Sequence, residues 1–230
     1  MIKHLTSITL IICLFLNFNA CTENKEQEQI NYPVTNDFLV DSRATVETVA
    51  LYEFLRTFAG TGTMFGHQDD LAYGIGWWAQ VDHSDVKAVC GDYPAVFGWD
   101  LGDINRQNNL DGVNFDNMID WMKQINDFGG IITISMHLDN PVTDQNAWDN
   151  SEAVSSILPG QSDNMKYRST LQHIANFLDR IKTSEGTYIP VILRPYHEHN
   201  HTWSWWGSNS CTPAEYNALW QMSVEYFRDE

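Results

Sequence analysis

The run Ile189-Pro-Val-Ile-Leu-Arg-Pro-Tyr-His-Glu198-His-Asn-His-Thr-Trp203-Ser-Trp-Trp206-Gly207 decides how this chain is read. Its first half is rich in Val, Ile and Leu, the composition of a buried strand. It ends in Tyr196, His197 and Glu198, and a loop with Trp203, Trp205 and Trp206 follows at once. A carboxyl group at a strand end, beside a histidine and below a shelf of indoles, suits chemistry on a sugar polymer. The carboxyl can protonate a glycosidic oxygen, and flat indoles can stack on the apolar faces of pyranose rings.

Working outward, the same strand-then-polar-loop pattern recurs. Residues 44–59 have helical periodicity, with Val49, Tyr52, Leu55 and Phe58 near one face. Residues 63–66 read as a short strand ending in His67-Gln-Asp-Asp70, and Ser84 caps a short helix. A second strand, 95–101, carries Asp100 near its end. An amphipathic helix spans 114–128, and a third strand, 131–137, ends in His137. A loop with Pro141 and Trp148, a helix over 165–182 and the strand 191–196 follow. Thr212-Pro-Ala-Glu215 opens a last helix.

Four strands, each followed by a helix, predict a parallel sheet. Polar and aromatic residues cluster after each strand, as on the active-site face of a (β/α)8 TIM barrel. No GxGxxG follows any strand, so a dinucleotide-binding sheet lacks support. A complete barrel takes about 250 residues. The expectation is therefore an α/β chain truncated to about the first four βα units. His67, Asp100, His137, Glu198 and Trp203 are expected to gather at one end of its sheet.

The 230 residues carry a formal charge of −17, which argues against nucleic acid and anionic membrane surfaces as partners. A neutral ligand needs no such complementarity. Residues 1–20 read as a signal peptide with one basic residue, Lys3, before an apolar run. Phe18-Asn-Ala-Cys21 resembles a lipobox, which would make Cys21 an acylated N-terminus and give an exported outer-membrane or cell-surface lipoprotein. The alternative is a plain secretory signal and a periplasmic or secreted protein. Residues 21–40 read as a flexible tether, and 41–230 as the barrel part. Cys90 and Cys211 fix no disulfide framework.

With these pieces placed, the chain resembles glycoside hydrolase family 26, whose best-known members are endo-β-1,4-mannanases. The resemblance rests on Phe65-Gly-His-Gln-Asp-Asp70, Gly91-Asp-Tyr-Pro-Ala-Val-Phe-Gly-Trp-Asp100, Gly129-Gly-Ile-Ile-Thr-Ile-Ser-Met-His137, Ile157-Leu-Pro-Gly160 and Arg194-Pro-Tyr-His-Glu198, in that order. It implies a (β/α)8 fold and hydrolysis with retention by two glutamates. Glu198 is implied as the general acid/base with His197 as its neighbour, and His137 and Trp203 as sugar contacts. The nucleophile is implied after a seventh strand, outside these residues, so the 230-residue chain alone is expected to be inactive and poorly soluble.

Trp148 and Trp206 are further candidate sugar platforms, and Arg194 joins the candidate substrate-binding residues. His67, with Asp69 and Asp70, either lines the cleft or satisfies buried loop amides. Trp99 within a strand, and Trp121 and Trp220 on helices, read as packing. Glu198 among aromatics is expected to be partly desolvated, which favours its protonated form; the alternative is a buried carboxylate paired with Arg194. His197-Glu-His-Asn-His201 also matches HExxH, but that zinc motif needs a helix, and the preceding Val-Ile-Leu-Arg-Pro favours a strand.

The reading implies β-mannan or a related plant polysaccharide as partner, no organic cofactor, no metal, and membrane contact only through Cys21. Xylan or mixed-linkage glucan is the alternative substrate. A non-catalytic glycan-binding surface protein is the rival from another class.

Overall fold

The computed structural model describes Leu39 and residues 41–229; the signal segment, Cys21 and nearly all of the tether lie outside the described residues. The chain order is α1 (Val46–Phe58), β1 (Gly66–Gln68), β2 (Tyr73–Gly74), β3 (Trp77–Trp78), α2 (Asp85–Cys90), β4 (Val96–Asp100), α3 (Phe115–Asp127), β5 (Ile131–Ser135), α4 (Val154–Ile157), α5 (Asn164–Leu178), β6 (Val191–Arg194) and α6 (Pro213–Asp229). Strands β1, β4, β5 and β6 form one parallel sheet in that order. Strand neighbours thus follow chain order, as in a barrel. A doubly wound sheet would reverse direction at a switch point.

The register sorts the side chains onto two faces. Phe97, Ile132 and Val191 align, as do Trp99, Ile134 and Leu193. This face meets the helices, since Trp99 stacks on Trp121 of α3 with ring centroids 5.7 Å apart. Trp99 is fully buried. Removing such an indole from water is worth about 5 kcal/mol for an area of roughly 200 Å². Helix α3 buries Phe115, Met118, Ile119, Met122 and Ile125, the spacing of one helical stripe. Asn114 caps it by accepting from the backbone N–H groups of Asp116 and Asn117. Thr212 and Glu215 form a reciprocal capping box at the start of α6.

The opposite face carries the functional row. Asp100, Ser135 and Arg194 are in register at the carboxyl end, one step beyond Gly98, Thr133 and Ile192. Gln68 pairs with Gly98 in register, and its side chain crosses that glycine: a Cβ on residue 98 would lie 2.1 Å from Gln68 Oε1.

Several elements differ from expectation. The first strand is Gly66–Gln68 rather than 63–66, because its ladder runs against Val96–Gly98. The last strand stops at Arg194 rather than Tyr196, since Pro195 has no N–H to continue the ladder. The hairpin β2–β3 and the single turn α4 lie in stretches to which the sequence reading assigned no element. On α1 the buried residues are Val49 and Glu53; Tyr52, Leu55 and Phe58 are only half-buried. Cys90 and Cys211 are separate free thiols.

Candidate active site

Asp100 ends β4 with its carboxylate almost wholly buried. Four donors converge on it. Gly102 N–H and His137 N–H reach Oδ1 at 2.7 and 3.2 Å, and Ser135 Oγ and His137 Nδ1 reach Oδ2 at 2.6 and 2.7 Å. Burial alone would raise its pKa. The hydrogen bond and charge of His137, with the bonds from Ser135 and Gly102, outweigh it, and the pKa lies below the ordinary carboxylate value.

His137 follows β5. Burial pulls its pKa down, but the Asp100 hydrogen bond and charge, aided by Glu198 and Asp111, carry it above that of a free histidine. His197 faces it, with Nε2 3.1 Å from His137 Nε2 and the rings perpendicular. Burial and then the His137 charge push the His197 pKa down. When His137 is protonated, its Nε2 donates to His197 Nε2, and the opposite pKa shifts favour the charge on His137 over His197. His197 Nδ1 is buried without a partner among the described residues.

The turn after β6 presents Glu198. Tyr196 (φ 50°) and Glu198 (φ 58°) both occupy the left-handed region, a strain of order 1–3 kcal/mol each. The surroundings hold them there. Tyr196 lies in a buried hydroxyl chain: Tyr167 donates to Tyr196, Tyr196 donates to Ser223 Oγ at 2.7 Å, and Ser223 donates to Leu219 O at 2.8 Å. Tyr216 Oη donates to Tyr196 O, and Trp206 Nε1 donates to His197 O. Burial raises the Tyr196 hydroxyl to about 12, so it stays a donor. Glu198 is itself exposed, and its Oε2 accepts from Trp203 Nε1 at 3.0 Å.

Two tryptophans are available to a ligand. Trp203 is 43% exposed and stacks on His201 at 3.9 Å; Trp148 is 52% exposed and stacks on His137 at 5.2 Å. Asn140 braces the Trp148 loop through Asp149 O and Ser151 O, and Asn150 ties it to Thr202 O. At the end of β1, Asp69 is fully buried; burial first, and then the Asp111 charge, push its carboxyl up to about 7.

The sequence matches Glycosyl hydrolase family 26 over residues 40–230. The chain belongs to that family. It is 36% identical over 195 residues to a mannan endo-1,4-beta-mannosidase of Bifidobacterium adolescentis, covering 82% of this chain and 19% of that protein. It superposes on a family 26 beta-mannanase from Bacteroides ovatus with TM-score 0.79 and 41% identity, over 80% of this chain and 55% of that one. A modular endo-beta-1,4-mannanase from Cellulomonas fimi gives 0.78 and 36%, over 83% and 44%. The chain thus spans about half the length of these solved relatives. Its parallel sheet and helices are the part of a (β/α)8 barrel that carries four βα units.

For this family 26 chain the structure brings Asp100, His137, His197, Glu198, Trp203 and Trp148 together. His67 is not among them. It pairs in register with Phe97, on the helix-facing side, and its Nδ1 lies 3.5 Å from Asp70. Trp206 is not an open platform: only 2% of it is exposed, its indole N–H is bonded to His197 O, and Trp205 and Tyr196 stand edge-on to it. Arg194 takes its place at the end of β6 beside Ser135, exposed and without an ion pair to Glu198 among the described residues.

Asp100 was expected at this sheet end without a role of its own, and Ser135, which donates to its Oδ2, had no place in the sequence reading. Asp100 had a signal: it is a strand-end carboxylate one strand before His137. In the HExxH-like run the two histidines diverge, His197 toward His137 and His201 onto Trp203. Among the described residues no group of three His, Cys, Asp or Glu is arranged to hold a metal ion.

Proposed function

We propose that this chain carries the acid/base side of a retaining endo-β-1,4-mannanase, whose activity resides in the full-length protein. The observation that carries the reading is Glu198 at the carboxyl end of β6, fixed by the Trp203 indole and flanked by the His137–His197 pair. In the first step Glu198 gives its proton to the glycosidic oxygen as the leaving sugar departs. In the second it takes a proton from water, which hydrolyses the glycosyl–enzyme. The nucleophile is the second glutamate, placed by family resemblance after a seventh strand. It must stand roughly 5–5.5 Å from Glu198.

Asp100 and His137 do not move the glycosidic proton. Asp100 fixes the His137 ring, and His137 stands against His197 and near Glu198. Trp148 and Trp203 supply flat apolar faces beside the cleavage point. The mannan preference rests on the similarity to named mannanases. The test is hydrolysis of mannan, xylan and mixed-linkage glucan by the full-length protein, with the anomer first released followed by NMR. Mannan cleavage with the β-anomer first is expected; α-anomer first would sink retention, and xylan or glucan cleavage without mannan would sink the substrate.

Export and a lipid anchor at Cys21 belong to the same proposal, supported by the basic start, apolar run and Ala20-Cys21. Changing Cys21 to Ser should move the protein from the membrane fraction to the soluble one. An unchanged distribution would exclude the anchor.

A further inference from the structure

A second cavity of about 260 Å³, lined by none of His137, Trp148, His197, Glu198 or Trp203, opens between the loop after β1 and the loop after β4. Trp78 and Trp121 form aromatic walls, and Gln107, Asn108, Asn114 and Asn117 line it with amides. No ionisable side chain lines it. Its walls come from βα units whose strands, β1 and β4, are hydrogen-bonded to each other, so the described residues build it by themselves.

The walls are held in place. Asp85 clamps the β2–β3 hairpin, accepting from Ile75 N–H and from Trp77 Nε1, both at 2.7 Å. Gly74 has no room for a side chain there: a Cβ would lie 2.2 Å from Asp85 Oδ2. Trp78 stacks on Tyr73 by one face, centroids 5.1 Å apart, yet is 54% exposed. Trp121 is backed by buried Trp99. Asn109 Oδ1 braces the other loop by accepting from Asp111 N–H and Val113 N–H.

The amides are available. Among the described residues Gln107 and Asn117 make no side-chain hydrogen bond, and Asn108 uses only its Oδ1, toward Asn114. An indole wall with amides able both to donate and to accept, and no charge, is complementary to a polyhydroxylated neutral ring. The volume, at the lower end for ligand pockets, admits one sugar residue rather than a long segment. The net charge of −17 disfavours an anionic occupant.

We propose that this cavity is a second carbohydrate site, taking one pyranose unit or chain end of a neutral polysaccharide against Trp78 and Trp121. Choosing mannan as the first probe rests on the catalytic reading above; the site itself rests on the cavity. A non-hydrolysing Glu198→Gln form of the full-length protein is retained on insoluble mannan, alone or with Trp78→Ala or Asn117→Ala added. Retention should weaken about tenfold with Trp78→Ala, as for loss of a central tryptophan, and measurably with Asn117→Ala. With Glu198 intact, the Trp78→Ala enzyme should turn over short soluble mannooligosaccharides at the wild-type rate.

Unchanged retention in both variants would overturn the proposal. A parallel loss of oligosaccharide turnover would also overturn it, because Trp78 would then belong to the catalytic cleft. If Trp78→Ala fails to fold, Asn117→Ala, an exposed change on α3, decides alone. If the full-length protein cleaves xylan or glucan instead of mannan, the substrate reading falls, and the same comparison on that polymer decides the second site.

Discussion

His137 and His197 meet Nε2 to Nε2 at 3.1 Å with their rings perpendicular, and their pKa values are pushed in opposite directions. Two histidines that share one hydrogen cannot both be protonated at that contact. Asp100 breaks the tie by bonding His137.

Asp100→Asn should therefore lower the His137 pKa and raise that of His197, read by NMR titration of the two imidazoles. The stability change has a defined sign. Asp100 titrates below its unfolded value, so its contribution is present above about pH 4 and is lost as pH falls through the folded pKa. His137 titrates above its unfolded value, so its contribution is full below about pH 6.5 and fades as pH rises through the folded pKa. The pair helps most at about pH 4–6.5. Denaturation should show Asp100→Asn losing about 3 kcal/mol near pH 5, as when one partner of a buried pair is removed, and less at pH 8.5. Equal losses at both pH values would contradict this assignment.

Asp69 behaves oppositely. Its folded pKa of about 7 lies above the ordinary value of 3.8, mainly through burial. Folding then favours the protonated form, and stability is lost as pH rises from about 4 through 7. Asp69→Asn cannot ionise, so it should gain on the wild type by a few kcal/mol above pH 7.5, an order-of-magnitude figure, and match it near pH 4. A melting-temperature series across pH 4–9 reads this directly, and parallel curves for the two proteins would refute it.

The hydroxyl chain behind the catalytic turn gives an asymmetric pair. Ser223→Ala leaves the buried Tyr196 hydroxyl with no acceptor, which costs about 1–3 kcal/mol. Tyr167→Phe removes a donor and leaves Tyr196 still bonded to Ser223, so its cost should be about 1 kcal/mol or less. Urea denaturation of the two variants should rank Ser223→Ala as the weaker protein. The reverse order would mean that the chain of donors runs the other way.

The parallel sheet and the strand-end cluster were legible in the sequence, because a buried parallel strand is apolar throughout and its polar residues start where burial stops. Asp100, His137 and Glu198 were all visible as such strand ends. His67 was misplaced for a geometric reason. Its strand is three residues long, too short to reveal the phase of alternation, and one step along a strand moves a side chain to the other face.

The three tryptophans after Glu198 look alike in sequence. Which are buried depends on distant acceptors: Leu138 O takes the Trp205 N–H and His197 O takes that of Trp206, whereas Trp203 is left to hold Glu198. The β2–β3 hairpin was missed because Tyr73-Gly-Ile-Gly-Trp-Trp78 is too short for a periodic signal. Asp85, on the next helix, is what pins it.

The central claim, that Glu198 is the proton donor, is tested most directly by Glu198→Gln in the full-length protein. Rates would be measured on galactomannan by reducing-end release and on an activated aryl β-mannoside by aryl release. The variant keeps the shape of the site and its contact with Trp203 but has no acid. Galactomannan turnover should fall by about 10²–10⁴-fold, the usual worth of a general acid. Formation of the glycosyl–enzyme from the aryl substrate should fall far less, because a good leaving group needs little protonation. Galactomannan turnover at the wild-type rate would contradict the account.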